Sequence, residues 1–93
     1  MIYGELNLKL WLLRPYKKFQ SHYTDEVSPW NPWYGKAFGF VVRAETEEEA
    51  RKLASEDCGE EGKEAWVSGK YSGCMALRIE GKAKIIIRDF ASA

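Results

Sequence analysis

The chain has 93 residues, 45% of them hydrophobic and 14% aromatic, with 14 basic and 14 acidic side chains that cancel. That length holds one domain (1–93) with a modest core, since a chain of this size buries only about 60–65% of its unfolded surface, and the composition excludes a disordered polymer. Zero net charge excludes a general pull toward nucleic acid or anionic lipid.

The N-terminal stretch MIYGELNLKL has no basic region, apolar block or small-residue cleavage site, and no apolar run is long enough to cross a bilayer. Cys58 and Cys74 lack Cys-x-x-Cys spacing and are expected as free thiols of a cytoplasmic protein. Charge is uneven along the chain: residues 45–64 carry nine acids against three bases. Such a block suits a solvated helix face, or a surface that docks on a basic partner.

Asn7–Arg14 (NLKLWLLR) alternates and predicts a strand, with Leu8, Leu10 and Leu12 on one face and Lys9, Trp11 and Leu13 on the other. Pro15 ends it. Residues 15–36 then show no periodicity yet hold six of the chain's thirteen aromatics, so this long loop must pack on something. Ala37–Ala44 (AFGFVVRA) predicts a second strand, with Phe38, Phe40 and Val42 on one face. Gly39, on the other face with Ala37, Val41 and Arg43, leaves a gap that Trp11 on the neighbouring strand can cover.

Thr46-Glu-Glu-Glu49 has the form of a capping box, and predicts a helix over Thr46–Cys58 with Ala50, Leu53, Ala54 and Cys58 inward and Arg51, Lys52 and Glu56 outward. Gly59 and Gly62 end it. Glu64–Val67 reads as a short strand burying Trp66, and Tyr71–Cys74 as a turn or the start of a helical segment. Met75–Ile79 and Ala83–Phe90 read as strands joined at Glu80-Gly81-Lys82. The consecutive isoleucines of KIIIRDF imply that both faces of that strand are covered.

The fold class expected is α+β: an antiparallel sheet of four to five strands in β-β-α-β-β order, with the helix over Leu8, Leu10, Leu12, Phe38, Phe40 and Val42. The other face, with Trp11, Leu13, Val41 and Ile86, then needs the aromatic loop or a second subunit, so a homodimer is expected.

One histidine and no ligand spacing give no zinc site, and neither G-x-G-x-x-G nor a P-loop occurs; no cofactor or metal is expected. Nucleophilic chemistry has two candidates. Cys74 follows Ser72-Gly73, where a thiol near a helix N-terminus could have a lowered pKa. His22 and Asp25 lie three apart, close enough for a carboxylate to orient an imidazole. Cys74 also suits a buried core thiol, and His22 and Asp25 suit polar loop residues. Aromatics interleaved with Lys17, Lys18 and Lys36 supply the residue types of a single-strand nucleic-acid site, but the pI near 6.6 and the acidic helix argue against one.

The stretch SPWNPWYG can close the core with Trp30, Trp33 and Tyr34, or present them to a partner or ligand, as tryptophan and tyrosine are enriched at interface hot spots. Arg14 and Arg43, at strand ends, can hold an anionic group or pair with local carboxylates. PWYGKAFGFVVRAETEEEARKLASE, EAWVSG and IIIRDF together resemble a group of short uncharacterised bacterial and phage proteins of the kind carried on mobile elements and gene cassettes. The resemblance implies no activity. A small binding or accessory protein is the function expected, recognising a partner or small ligand through the aromatic loop with Arg14, His22 and Arg43 beside it. A small enzyme using His22 and Asp25, or Cys74, is the alternative.

Overall fold

The structure is a computed structural model and describes residues 7–20 and 27–88. Its elements run β1 (Lys9–Pro15), α1 (Lys17–Gln20), β2 (Phe40–Ala44), α2 (Glu47–Glu56), α3 (Glu64–Val67) and β3 (Ser72–Ala76). The strands form one antiparallel sheet in the order β2-β1-β3. The chain is α+β, but among the described residues the sheet has three strands rather than four or five, and the elements follow one another as β-α-β-α-α-β.

The face of β1 that meets the helix is the reverse of the expected one. Register sets Trp11 opposite Val42 and Ala76, and Leu13 opposite Phe40 and Cys74. These residues, with Ala44, face α2, and Leu13 is fully buried. Leu10 and Leu12 point the other way, in step with Arg14. Covering that side with α2 would have buried a guanidinium under an alanine-rich helix, which is costly without a partner. Trp11 does not cover Gly39; its indole Nε1 donates to the Ala44 carbonyl at 2.9 Å.

The capping box forms with one change. Thr46 Oγ1 accepts the Glu49 amide at 3.1 Å, and Glu49 Oε1 accepts the Glu45 amide at 3.0 Å, one residue before the expected partner. Ala50 and Ala54 seat α2 on the sheet. Leu53 is exposed, however, and Arg51 and Ser55 are buried. Arg51 turns inward because it meets acceptors there: its guanidinium donates to the Trp66 carbonyl at 2.8 Å, to Ser72 at 3.1 and 3.0 Å, and to Glu47 Oε2 at 2.8 Å.

Residues 64–67 make a helical turn, not a strand. Gly62, at φ 90°, reverses the chain ahead of it, and the turn puts Ala65 and Trp66 side by side in the core, which strand alternation would forbid. Ser72–Ala76 is a strand rather than a turn, and Leu77 extends its pairing by one bond to the Leu10 carbonyl at 2.8 Å. Beyond it, residues 78–88 make no ladder, so the expected hairpin at 80–82 does not form among the described residues. A β-branched run has strand propensity but needs an edge to pair with. Ile85 and Ile86 are exposed instead of covered on both sides.

The aromatic loop is divided by its hydrogen bonds. Trp30 is buried, with Nε1 donating to the Ala37 carbonyl at 2.7 Å and its ring edge-on to Trp66 at 5.5 Å. Gly35, at φ 72°, lets its carbonyl accept the Glu60 amide at 2.7 Å. Glu61 completes the join: it accepts the Trp66 indole N–H at 2.5 Å and the Ala37 amide at 3.1 Å.

Candidate functional site

The sheet face opposite α2 carries Leu10, Leu12 and Arg14 from β1, Val41 and Arg43 from β2, and Met75 from β3. Val41 is 52% exposed and Met75 59%. No helix among the described residues covers this face. Ile87 and Arg88 approach it from the C-terminal segment and line cavities there, of which two are described.

Arg14 stands between those cavities. One, of about 310 Å³, is bounded by Leu12, Phe38, Gly39, Phe40, Val41 and Ile87; the other, of about 550 Å³, by Leu12, Tyr16, Lys17, Gln20, Met75 and Arg88, among others. Arg14 lines both. Glycines flank it: Gly73 lies opposite in register, and a Cβ added at Gly39 would sit 3.9 Å from Arg14 Cγ. Neither glycine has a positive φ, so the backbone does not require glycine at either place. What their missing side chains leave is room on both sides of the guanidinium.

The Arg14 Nε is shielded from solvent and has no hydrogen-bond partner among the described residues. Leaving such a donor unsatisfied costs about 1–3 kcal/mol, so an acceptor arriving there has a gain waiting for it. Among the described residues no aspartate or glutamate lines either cavity, whereas Arg14, Lys17 and Arg88 are cationic.

The other expected site residues separate. Trp30 belongs to the core. Trp33 and Tyr34 are exposed at 67% and 62%, with rings edge-to-face at 6.1 Å, and neither lines either of these two cavities. Lys36 Nζ lies 5.8 Å from the Tyr34 ring centre and 3.7 Å from Glu60 Oε2. Arg43 shares the open face with Arg14 but sits opposite Leu10, four residues or about 13 Å along the strand. The two arginines therefore do not converge on one group. His22 and Asp25 lie outside the described residues.

Cys74 is not at a helix N-terminus. It lies within β3 opposite Leu13, and burial pushes its thiol above the ordinary value, with Glu47 adding to the rise and Arg51 partly offsetting it. Such a thiol is protonated at neutral pH and a poor nucleophile. Both cysteines are free thiols.

Reading the sequence for site residues missed Leu12, Gly73, Met75 and Ile87. Strand parity was the available signal, since it places Leu12 and Arg14 on one face.

No helix among the described residues is long and apolar enough to cross a membrane. In comparisons with known proteins, no family model matches this chain, and no curated protein or solved structure matches it.

Proposed function

We propose that this is a non-catalytic binding protein that takes an anion-bearing ligand on the open face of its sheet, around Arg14. The observation that carries the reading is the shielded Arg14 Nε, unpaired among the described residues, on an arginine that lines two cavities with no carboxylate among their described lining residues. Buried polar groups in native proteins are nearly always satisfied, and an exception calls for a partner. A concave, mostly apolar site with a few placed polar groups is the usual form of a small-molecule site. The raised Cys74 pKa argues against Cys74 as a nucleophile.

The test is a panel of small apolar compounds, anionic, neutral and cationic, titrated into isotope-labelled protein while backbone amides are followed by NMR. Anionic members should move the amides of Leu12, Arg14, Val41 and Met75 at the lowest concentrations. Equal response to cationic members, or responses confined to other parts of the chain, would remove the reading.

A second reading is favoured by the exposed Trp33–Tyr34 pair, held edge-to-face on a segment fastened by the Gly35–Glu60 bond. Pre-organised aromatics of this kind suit a protein partner. Capture of a binding partner that survives Arg14→Gln but is lost in Trp33→Ala would favour it over the sheet face.

A further inference from the structure

We infer that the Arg14 site takes a small amphipathic carboxylate, its two oxygens on the side-on fork of the guanidinium and its apolar part in the cavity of Leu12, Val41 and Ile87. The inference rests on the ligand face proposed above and adds the chemistry of the ligand.

The unpaired atom selects the approach. Nε and one Nη of an arginine present two parallel N–H groups whose spacing matches a planar carboxylate. Arg14 Nε is out of reach of a water molecule, so an acceptor meets it only when the guanidinium turns toward a cavity that Arg14 lines. A ligand already seated against the apolar walls supplies the charge that draws it there.

Charge selects the group. Among the described residues, Arg14 is the only charged one lining the smaller cavity, whose other lining residues are apolar side chains and Gly39. A single negative charge is matched there. A dianionic phosphate would bring a second charge beside Leu12, Val41 and Ile87 that no further cation lining this cavity meets, which is costly. Size follows from the volume of about 310 Å³, at the lower end of the roughly 300–1,000 Å³ of small-molecule sites.

The glycines supply the room. A Cβ at Gly39 would meet the Leu13 carbonyl at 3.5 Å and Arg14 Cγ at 3.9 Å, and one at Gly73 would meet Tyr16 at 3.4 Å, so a Cβ at either makes ordinary contacts. It would occupy the space beside the guanidinium.

The experiment titrates octanoate, octanol and octyl phosphate, each below its micellar concentration, into isotope-labelled wild type, Arg14→Gln, Arg14→Lys and Gly39→Val. Octanoate should move the Leu12, Gly39 and Val41 amides of wild type and bind at least tenfold more tightly than octanol. Arg14→Gln should erase that preference. Arg14→Lys, which keeps the charge but lacks the fork, should lose most of it. Gly39→Val should weaken octanoate while leaving the thermal melt within a few degrees of wild type. Octanol or octyl phosphate binding this face as tightly as octanoate overturns the carboxylate assignment and leaves the ligand face standing. No response of these amides to any of the three compounds overturns both.

Discussion

Arg51 holds Ser72 at two points: Nη1 donates to its Oγ at 3.1 Å and Nη2 to its carbonyl at 3.0 Å. The same Nη1 reaches the Trp66 carbonyl at 2.8 Å, and Nε meets Glu47 at 2.8 Å. One buried side chain on α2 thus fastens α3 and the first residue of β3. Its charge is tolerated because nearly every donor is satisfied.

Replacing Arg51 by Met keeps the aliphatic stem but strands the Trp66 and Ser72 acceptors. The expected loss is about 3 kcal/mol, which for a domain of this size lowers the melting temperature by on the order of 15 °C. Glu47→Gln should cost under about 0.5 kcal/mol, because that end of the ion pair is half exposed. Thermal melts followed by circular dichroism check both. A drop of only a few degrees for Arg51→Met would show that the network is incidental.

Trp30 and Trp33 lie three residues apart and should behave as opposites. Trp30→Ala removes a buried indole packed on Trp66 and a bond to Ala37, and is expected to cost about 3–5 kcal/mol. Trp33→Ala removes an exposed ring, and should stay within about 0.5 kcal/mol of wild type. Denaturant midpoints of the two variants measure the difference. Equal losses would mean that Trp33 also closes the core.

The legible parts of this fold were those settled by near neighbours. Thr46 and Glu49 cap α2 within one turn, and the alternation of residues 40–44 needs no distant partner to read as a strand. The β1 face was misread although the signal was present, because Arg14 shares its parity with Leu10 and Leu12. Burial of Arg51 was not legible: its acceptors come from residues 15 and 21 positions away, on elements that were themselves assigned wrongly. The isoleucine run shows the same limit, since propensity says what a segment can form and not whether an edge is in reach. For the site, Arg14 was named from its type and strand-end position. The cavities beside it depend on Gly39 and Gly73 lying on either side, which is a consequence of register.

Gly59 is where the aromatic loop meets the turn after α2. A Cβ there would stand 2.4 Å from the Gly35 carbonyl oxygen and 2.9 Å from Glu61 Oε1, so backbone must move. Gly59→Ala should therefore weaken the Glu60–Gly35 and Ala37–Glu61 bonds together, at a cost of about 1–3 kcal/mol. Gly69, with open space around it, is the control, and its alanine variant should be neutral or stabilising by up to about 1 kcal/mol. Amide exchange at Glu60 and Ala37 reports the local effect: it should accelerate in Gly59→Ala alone. Unchanged exchange there would place the join elsewhere.

Cys74 makes stability depend on alkaline pH. Its thiol is raised above the ordinary value of 9.0, so the folded chain binds that proton more tightly than the unfolded chain does. The resulting contribution is fully present below the unfolded thiol's pKa and is lost as pH climbs from there through the folded value. In a Cys58→Ser background, the denaturant midpoint should fall above about pH 9, and Cys74→Val should remove that part of the fall. Iodoacetamide gives a direct reading of the same group: the pH midpoint of Cys74 alkylation should lie higher in the folded protein than in denaturant. A midpoint at or below the unfolded one would mean that the thiol is activated. The nucleophilic alternative would then regain its main candidate, and the assignment of this protein to binding alone would have to be given up.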